Sequence, residues 1–278
     1  MALRIVTDST CDLPESLTKA LDITVVPLKV LFGEEVYRDG VDLSKSDFYK
    51  KMAEHKQLPT TAQVNPGEFL EVFQDILTKQ DEIIGIFISS KLSGTYSSAV
   101  IAKEQLGEAR IHLVDSGSTS FGLALLVVLA ARMVRQNKTA EEIVAHLETA
   151  KKKILFYGVI NTLENLKKGG RLSTTGALAG TLLGIKPIIA LKDGEVTVAA
   201  KTRGQKKAFA WILDQMQKNG SLKDKLVFIA HAAAPAEMQE FKRLVMEEFN
   251  PKEIIELEIG TVVGTHSGPG CVGIGYLV

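Results

Sequence analysis

The sequence predicts an α/β protein of two domains: an N-terminal, mostly parallel, Rossmann-like sheet with helices on both faces, then a C-terminal mixed α/β (α+β) domain. Three observations carry this. The first half alternates short, continuous apolar segments with helix-like ones, the pattern of parallel strands covered on both faces. From residue 154 hairpin signals mix with helices instead. At 278 residues the chain also exceeds the usual size of a single hydrophobic core. The expected domains are residues 1–153 and 154–278. No low-complexity linker separates them, so they should pack closely around a cleft.

LRIVTDST from Leu3 reads as the first strand, followed by Pro14 and the helix-like ESLTKAL. Residues 23–32 read as one second strand ending in a turn at Gly33. IIGIFISS from Ile83 is a third strand, with TYSSAVIAKEQL as its helix; IHLVDSGS from Ile111 is a fourth, followed by the apolar helix FGLALLVVLAARMV. Ligands of such sheets bind beyond the carboxyl ends of the strands. Those ends are Asp8, Ser9 and Thr10, then Ser89 and Ser90, then Asp115 and Ser116.

A charged helix over residues 140–153 closes the first domain. KILFYGVI from Lys153 is a strand, and TLENLKKGG from Thr162 a short helix stopped by Gly169 and Gly170. After the small-residue stretch TTGALAGTLLG, the segment PIIALKDGEVTVAAKT reads as a hairpin turning at Asp193 and Gly194. Helix 205–218, strand 225–230, helix 235–249 and a final pair of strands around GTHSGPG complete the reading.

Composition narrows the function classes. Hydrophobic residues make up 45% and charged residues 24%, as in ordinary soluble globular proteins. Thirty-three basic residues balance 33 acidic ones, so charge gives no argument for nucleic acid or an anionic membrane surface. Cys11 and Cys271 match no metal-ligand spacing and read as reduced thiols. Met1 runs almost directly into a strand, so no signal peptide is expected. The longest apolar run, residues 121–131, is closed by Arg132 and falls short of the roughly 20 residues a span needs. The expected location is the cytoplasm, without integral membrane association. No Gly-x-x-x-x-Gly-Lys-Ser/Thr loop occurs, and no Gly-x-Gly-x-x-Gly follows the first strand.

Four segments could carry chemistry. In ISSKLSGTYSSA, Ser93 stands at a helix N-cap position, and the first turn (Gly94, Thr95, Tyr96, Ser97) holds no acid to complete a capping box. Free N–H groups, a glycine allowing close approach and nearby hydroxyls suit an external anion, of unspecified kind. In LPTTAQVNPGEF, Asn65, Pro66 and Glu68 explain the next helix start. Thr60 and Thr61 are left for a ligand or for local turn bonds. In GTHSGPG, His266 lies in an extended connection; five histidines without a His-x-x-x-His pair argue against a metal site. Its imidazole could still hydrogen-bond a carboxylate or phosphate. In LKKGGRLS, the lysines and glycines are ordinary helix-end chemistry, but Arg171 is not needed for it. Arg203, beside Lys201, Lys206 and Lys207, marks either a solvated face or a docking surface for an acidic partner or a phosphorylated product.

Together the chain resembles the DegV family. The matching stretches are TDSTCDLP from Thr7, TTAQVNPGEF from Thr60, SSKLSGTYSSA from Ser89, DSGSTSFG from Asp115, LKKGGRLS from Leu166, IKPII from Ile185 followed by DGEV, and THSGPG from Thr265. They run in this order over nearly the whole chain. The resemblance implies two α/β domains holding one long-chain fatty acid. Several members look like the substrate-binding subunit of a two-component bacterial fatty acid kinase, whose ATP-binding partner phosphorylates the carboxylate for phospholipid metabolism. By resemblance, this chain would be a non-catalytic lipid-binding subunit without cofactor or metal, touching membranes only transiently for lipid exchange. Ser93, Gly94 and Thr95 would hold the carboxylate, Thr61 would add a hydroxyl and His266 a further hydrogen bond. Arg171 and Arg203 would engage the kinase. The chain departs from many relatives at Thr60, Thr61, Ala62 and Gln63, where Thr-Ser-Gln-Pro is common, which leaves the geometry around Ala62 open.

Further expectations follow from this resemblance. Neutral donors alone should surround the carboxylate, since the Ser93 motif has no cation beyond Lys91. The acyl chain could run along helix 121–134 and the stretch 177–183, both of which read equally well as core helices. The rival reading is a stand-alone hydrolase or phosphotransferase with Ser93 as nucleophile, His266 as base and Asp8 or Asp115 orienting it.

Overall fold

A computed structural model of the chain describes residues 2–55, 57–107, 110–173 and 184–278. Its strands are, in chain order, β1 (Leu3–Asp8), β2 (Ile23–Val26), β3 (Lys29–Phe32), β4 (Glu35–Arg38), β5 (Thr60–Ala62), β6 (Glu82–Phe87), β7 (Ile111–Asp115), β8 (Ile154–Val159), β9 (Ile185–Lys192), β10 (Glu195–Arg203), β11 (Leu226–His231), β12 (Glu253–Glu258) and β13 (Val272–Leu277). The helices are α1 (Glu15–Leu21), α2 (Lys45–Glu54), α3 (Pro66–Thr78), α4 (Thr95–Leu106), α5 (Ser120–Arg135), α6 (Ala140–Ala150), α7 (Glu164–Lys168), α8 (Gln205–Lys218), α9 (Pro235–Phe249) and α10 (Thr261–Ser267).

The fold is a two-domain α/β arrangement. The first sheet has the order β2-β1-β6-β7 and is parallel throughout. Alternation along β6 shows why its sequence is continuously apolar. Ile84 and Ile86 pack with Leu123, Leu126 and Val127 of α5, whereas Ile83 and Phe87 pack with Phe69 and Phe73 of α3 and Ala99 of α4. Both faces are therefore buried, as parallel strands require.

The second sheet has the order β10-β9-β8-β13-β11-β12, in which only β11 and β12 run parallel. The expected hairpin joins β9 to β10. Its turn residues Asp193 (φ 51°) and Gly194 (φ 83°) both adopt the left-handed conformation, which matches the twist of the paired strands. One face of the sheet receives α8 and α9 through Phe209, Ile212, Phe241 and Val245. The other face meets α5, where Phe121, Ala124, Leu125 and Val128 cluster with Phe156, Phe228 and Leu257. Helix α5 thus lies between the two sheets, apolar all round because it is interior all round.

Expectations for two segments need correction. Residues 23–32 form two strands in different sheets, because Pro27 offers no N–H to a ladder and Leu28 N–H instead donates to Ser9 Oγ at 3.1 Å. Beyond that break, β3 joins a small antiparallel sheet of order β4-β3-β5, which places Thr61 on a strand. The other correction concerns the C-terminal segment. His266 lies on the short helix α10, not in an extended connection, and β12 and β13 are separated by β11 and do not pair with each other. The stretch 177–183 lies outside the described residues. Of helix 121–134, most is core.

Leu126 is fully buried within the cluster that joins α5 to the first sheet. Leu126→Ala should lower the unfolding free energy by about 2–5 kcal/mol, read from the shift of a urea unfolding midpoint.

Candidate functional site

A cavity of about 320 Å³ opens between the two domains, within the usual range of small-molecule sites. Its body is apolar, lined by Leu28, Phe121, Phe156, Ile189, Val196 and Val262. Its polar groups include Thr61 and Gln63 at β5, Ser93 and Gly94 ahead of α4, Arg171 after α7 and His266 on α10. Five of the residues singled out in the sequence therefore reach one cavity, although they come from four separate segments.

Thr61 and His266 meet across the domain boundary, with Thr61 Oγ1 and His266 Nε2 3.1 Å apart. The imidazole fits only because residue 169 is glycine: a Cβ there would stand 2.3 Å from His266 Nδ1. That Nδ1 atom is buried without a hydrogen-bond partner among the described residues. Burial, and then the positive charge of Arg171, lower the His266 pKa to about 4. The ring is therefore neutral at neutral pH and has one donor and one acceptor nitrogen.

The start of α4 differs from the expectation. The N-cap is Gly94 (φ −73°, ψ 2°), with no side chain capping it and no acid in the first turn; Ser93 precedes it. Ser93 Oγ accepts Thr95 N–H at 3.3 Å and shares a hydrogen bond with Thr95 Oγ1 at 2.9 Å. Thr95 is fully buried and is not among the lining residues, so it orients Ser93 from behind. The space beside Gly94 belongs to Gln63, whose Oε1 would lie 2.1 Å from an added Cβ while its Nε2 donates to Ser98 Oγ at 3.0 Å. Gln63 had no sequence signal beyond its place in the Thr60 motif.

Arg171 corrects the expectation of neutral donors alone. Its Nε donates to the Leu92 carbonyl at 3.1 Å, which holds a cation at the cavity wall next to Ser93. It also lines an adjoining open groove of about 650 Å³, together with Thr61, Lys168 and His266. Arg203 is exposed at the end of β10 and lines neither space.

The arrangement does not assemble a hydrolytic triad. Ser93 is bonded to Thr95 and His266 to Thr61. Asp8 accepts from Thr10 N–H (2.9 Å), Thr10 Oγ1 (2.5 Å) and Ile88 N–H (2.7 Å). Burial raises its pKa to about 6 against those hydrogen bonds. Asp115 accepts from Ser90 and Gly117 N–H groups. Both carboxylates thus close turns at the strand ends. Among the described residues no group of three or more His, Cys, Asp and Glu gathers as a metal site, and no helix is long and apolar enough to cross a membrane.

A profile of the DegV family, described as uncharacterised proteins, matches residues 2–278. The chain belongs to the DegV family. It is 40% identical over 273 residues to a DegV domain-containing protein of Caldanaerobacter subterraneus, covering 98% of this chain and 97% of that one. Among solved structures it is similar to a DegV family protein from Thermus thermophilus described for its fatty acid binding. That similarity has a TM-score of 0.94 and 33% identity, over 100% of this chain and 99% of that one. It is also similar to a stearic acid-binding protein from Eubacterium ventriosum, with a TM-score of 0.91 and 28% identity over 100% and 98% of the two chains.

His266 in the folded, ligand-free DegV protein should titrate near pH 4, followed by its ring proton shifts in NMR, and Arg171→Met should move the midpoint upward. Because the folded value lies below the ordinary 6.5, the contribution of His266 to stability is fully present above about pH 6.5. It is lost as pH falls toward 4. A midpoint at 6.5 would contradict the buried, neutral ring.

Proposed function

We propose that the protein binds one long-chain fatty acid in this cavity, with the acyl chain among the apolar residues and the carboxylate at Thr61, Ser93, Gly94 and His266. A separate ATP-dependent kinase then converts that carboxylate to an acyl phosphate, and this chain supplies binding and presentation without a catalytic group of its own. The observation that carries the reading is the convergence of Thr61, Ser93 and His266 on one largely apolar cavity. The fatty-acid-binding relatives from Thermus thermophilus and Eubacterium ventriosum support it.

The energetics are adequate. Burial contributes about 0.8 kcal/mol per methylene, so a chain of about 16 carbons offers on the order of 10 kcal/mol before entropy losses. The carboxylate is then tolerated if hydroxyl, backbone N–H and imidazole donors meet it. Thr95 serves indirectly, by fixing Ser93. Arg171 borders both the cavity and the open groove, a position suited to meeting a phosphoryl donor delivered by the kinase. Arg203, exposed on β10, would extend that docking surface. Transient membrane contact for lipid exchange and a cytoplasmic location complete the reading.

Mass spectrometry of organic extracts from the purified protein should find one fatty acid per chain, and Ser93→Ala should weaken its retention by about tenfold, the loss of one hydrogen bond to a charged group. Protein that is lipid-free and takes up no added fatty acid would overturn the proposal. Arg171→Ala should keep the lipid yet lose acyl-phosphate formation with the partner kinase; loss of the lipid would instead assign Arg171 to holding the Leu92 loop.

A further inference from the structure

The first domain grips one short stretch of the second, residues 258–261, which leads into the helix that carries His266. Asp12 Oδ1 accepts Gly260 N–H at 2.7 Å. Asp39 Oδ1 accepts Thr261 N–H at 3.0 Å and Thr261 Oγ1 at 2.8 Å. Tyr49 OH donates to the Ile259 carbonyl at 3.0 Å, and Lys45 Nζ to the Glu258 carbonyl. Asp12 and Asp39 are only 3% and 4% exposed, and buried carboxylates are costly unless hydrogen bonds hold them. Gly260 is closely enclosed: an added Cβ would lie 2.8 Å from Asp12 Oδ1 and 3.2 Å from Asp39 Oδ1.

Helix α10 needs this grip. It has 7 residues, too few to persist alone, and Thr261, Val262, Val263 and Thr265 are β-branched, poor helix formers. No side chain of its own N-cap, Gly260, can cap it. Asp39 satisfies the N–H of its first residue, Thr261, and Asp12 that of its N-cap, Gly260. Asp12 also accepts Ser120 Oγ at 2.5 Å through its other oxygen. It thereby fixes the first residue of α5, held at φ 47°, next to Phe121 in the cavity wall. At 1.5 Å per residue, α10 is about 10 Å long, a rigid lever from the two carboxylates to the imidazole.

We propose that Asp12 and Asp39 are positioning residues for ligand recognition: by capping α10 across the domain interface, they set His266 against Thr61 and so govern selection of the ligand's carboxylate without touching it. This rests on the fatty-acid reading of the cavity. A general packing role predicts equal losses for any ligand of the same chain length; a positioning role predicts a loss confined to the carboxylate.

The test compares the affinities of palmitic acid and 1-hexadecanol by displacement of a fluorescent probe. Asp39→Ala should reduce the preference for the acid by about tenfold, to the level of His266→Ala. The double variant should lose no more, and Asp39→Asn, which keeps an acceptor oxygen, should recover most of the preference. Thr261→Val, which removes one donor to Asp39 without emptying the site, should act in the same direction and serves if Asp39→Ala does not fold. Equal weakening of acid and alcohol with the preference intact would overturn the proposal. If the wild-type protein binds neither ligand, the fatty-acid reading fails. The positioning claim is then decided by NMR of the ligand-free protein, where Thr261→Val must shift the His266 ring resonances, and unshifted resonances would refute it.

Discussion

The architecture depends on one helix with no polar side. Along α5, Leu123, Leu126 and Val127 face the parallel sheet while Phe121, Ala124, Leu125 and Val128 face the mixed one. Each buried aliphatic or aromatic side chain of this kind contributes about 1.5–3 kcal/mol, so neither sheet can be withdrawn cheaply. The helix also locates the cavity. It begins at Ser120 and Phe121, both in the cavity wall, where Phe121 stacks on Phe156 with ring centroids 3.9 Å apart. At its other end Arg132 forms two hydrogen bonds to Glu253 of β12, at 2.6 and 2.9 Å, so α5 is tied to the second sheet at both ends.

The proposed ligand site combines groups of modest strength. Thr61 and His266 are bonded to each other, Ser93 is held by Thr95, and Arg171 is anchored through the Leu92 carbonyl. A neutral imidazole beside a guanidinium is self-consistent, because the cation discourages a second positive charge on the ring. The polar end can thus accept an anion without forming a fully buried ion pair of its own, whose desolvation would be expensive.

The local elements are legible in the sequence. The parallel sheet followed from continuous apolar strands, the Asp193–Gly194 turn from its dipeptide, and the start of α3 from Asn65 and Glu68, which form the expected reciprocal capping pair. Apart from the break at Pro27, which is a local signal, the features that were not legible are nonlocal. Pro27 divides an apolar run between two sheets, and nothing near His266 announces a helix, since α10 is capped by residues more than two hundred positions away. Arg171 is exposed, but its place beside the cavity is not legible because Leu92, its hydrogen-bond partner, lies 79 positions earlier. Gln63 carries no local signal because its partners are distant: it fills the space that Gly94 leaves open and donates to Ser98.

The position of β13 has a consequence for biosynthesis. Residues 272–277 are last in order yet sit at the middle of the second sheet, between β8 and β11, and Gly273 and Gly275 leave the room that Phe121 occupies. A ribosome delivers the chain from the N-terminus, so β10, β9 and β8 on one side and β11 and β12 on the other must wait for the final strand to join them. The cavity wall built on this sheet is therefore completed only after translation has passed residue 277. Until β13 is in place, the second sheet lacks an interior strand and Phe121 lacks its seat against Gly273 and Gly275.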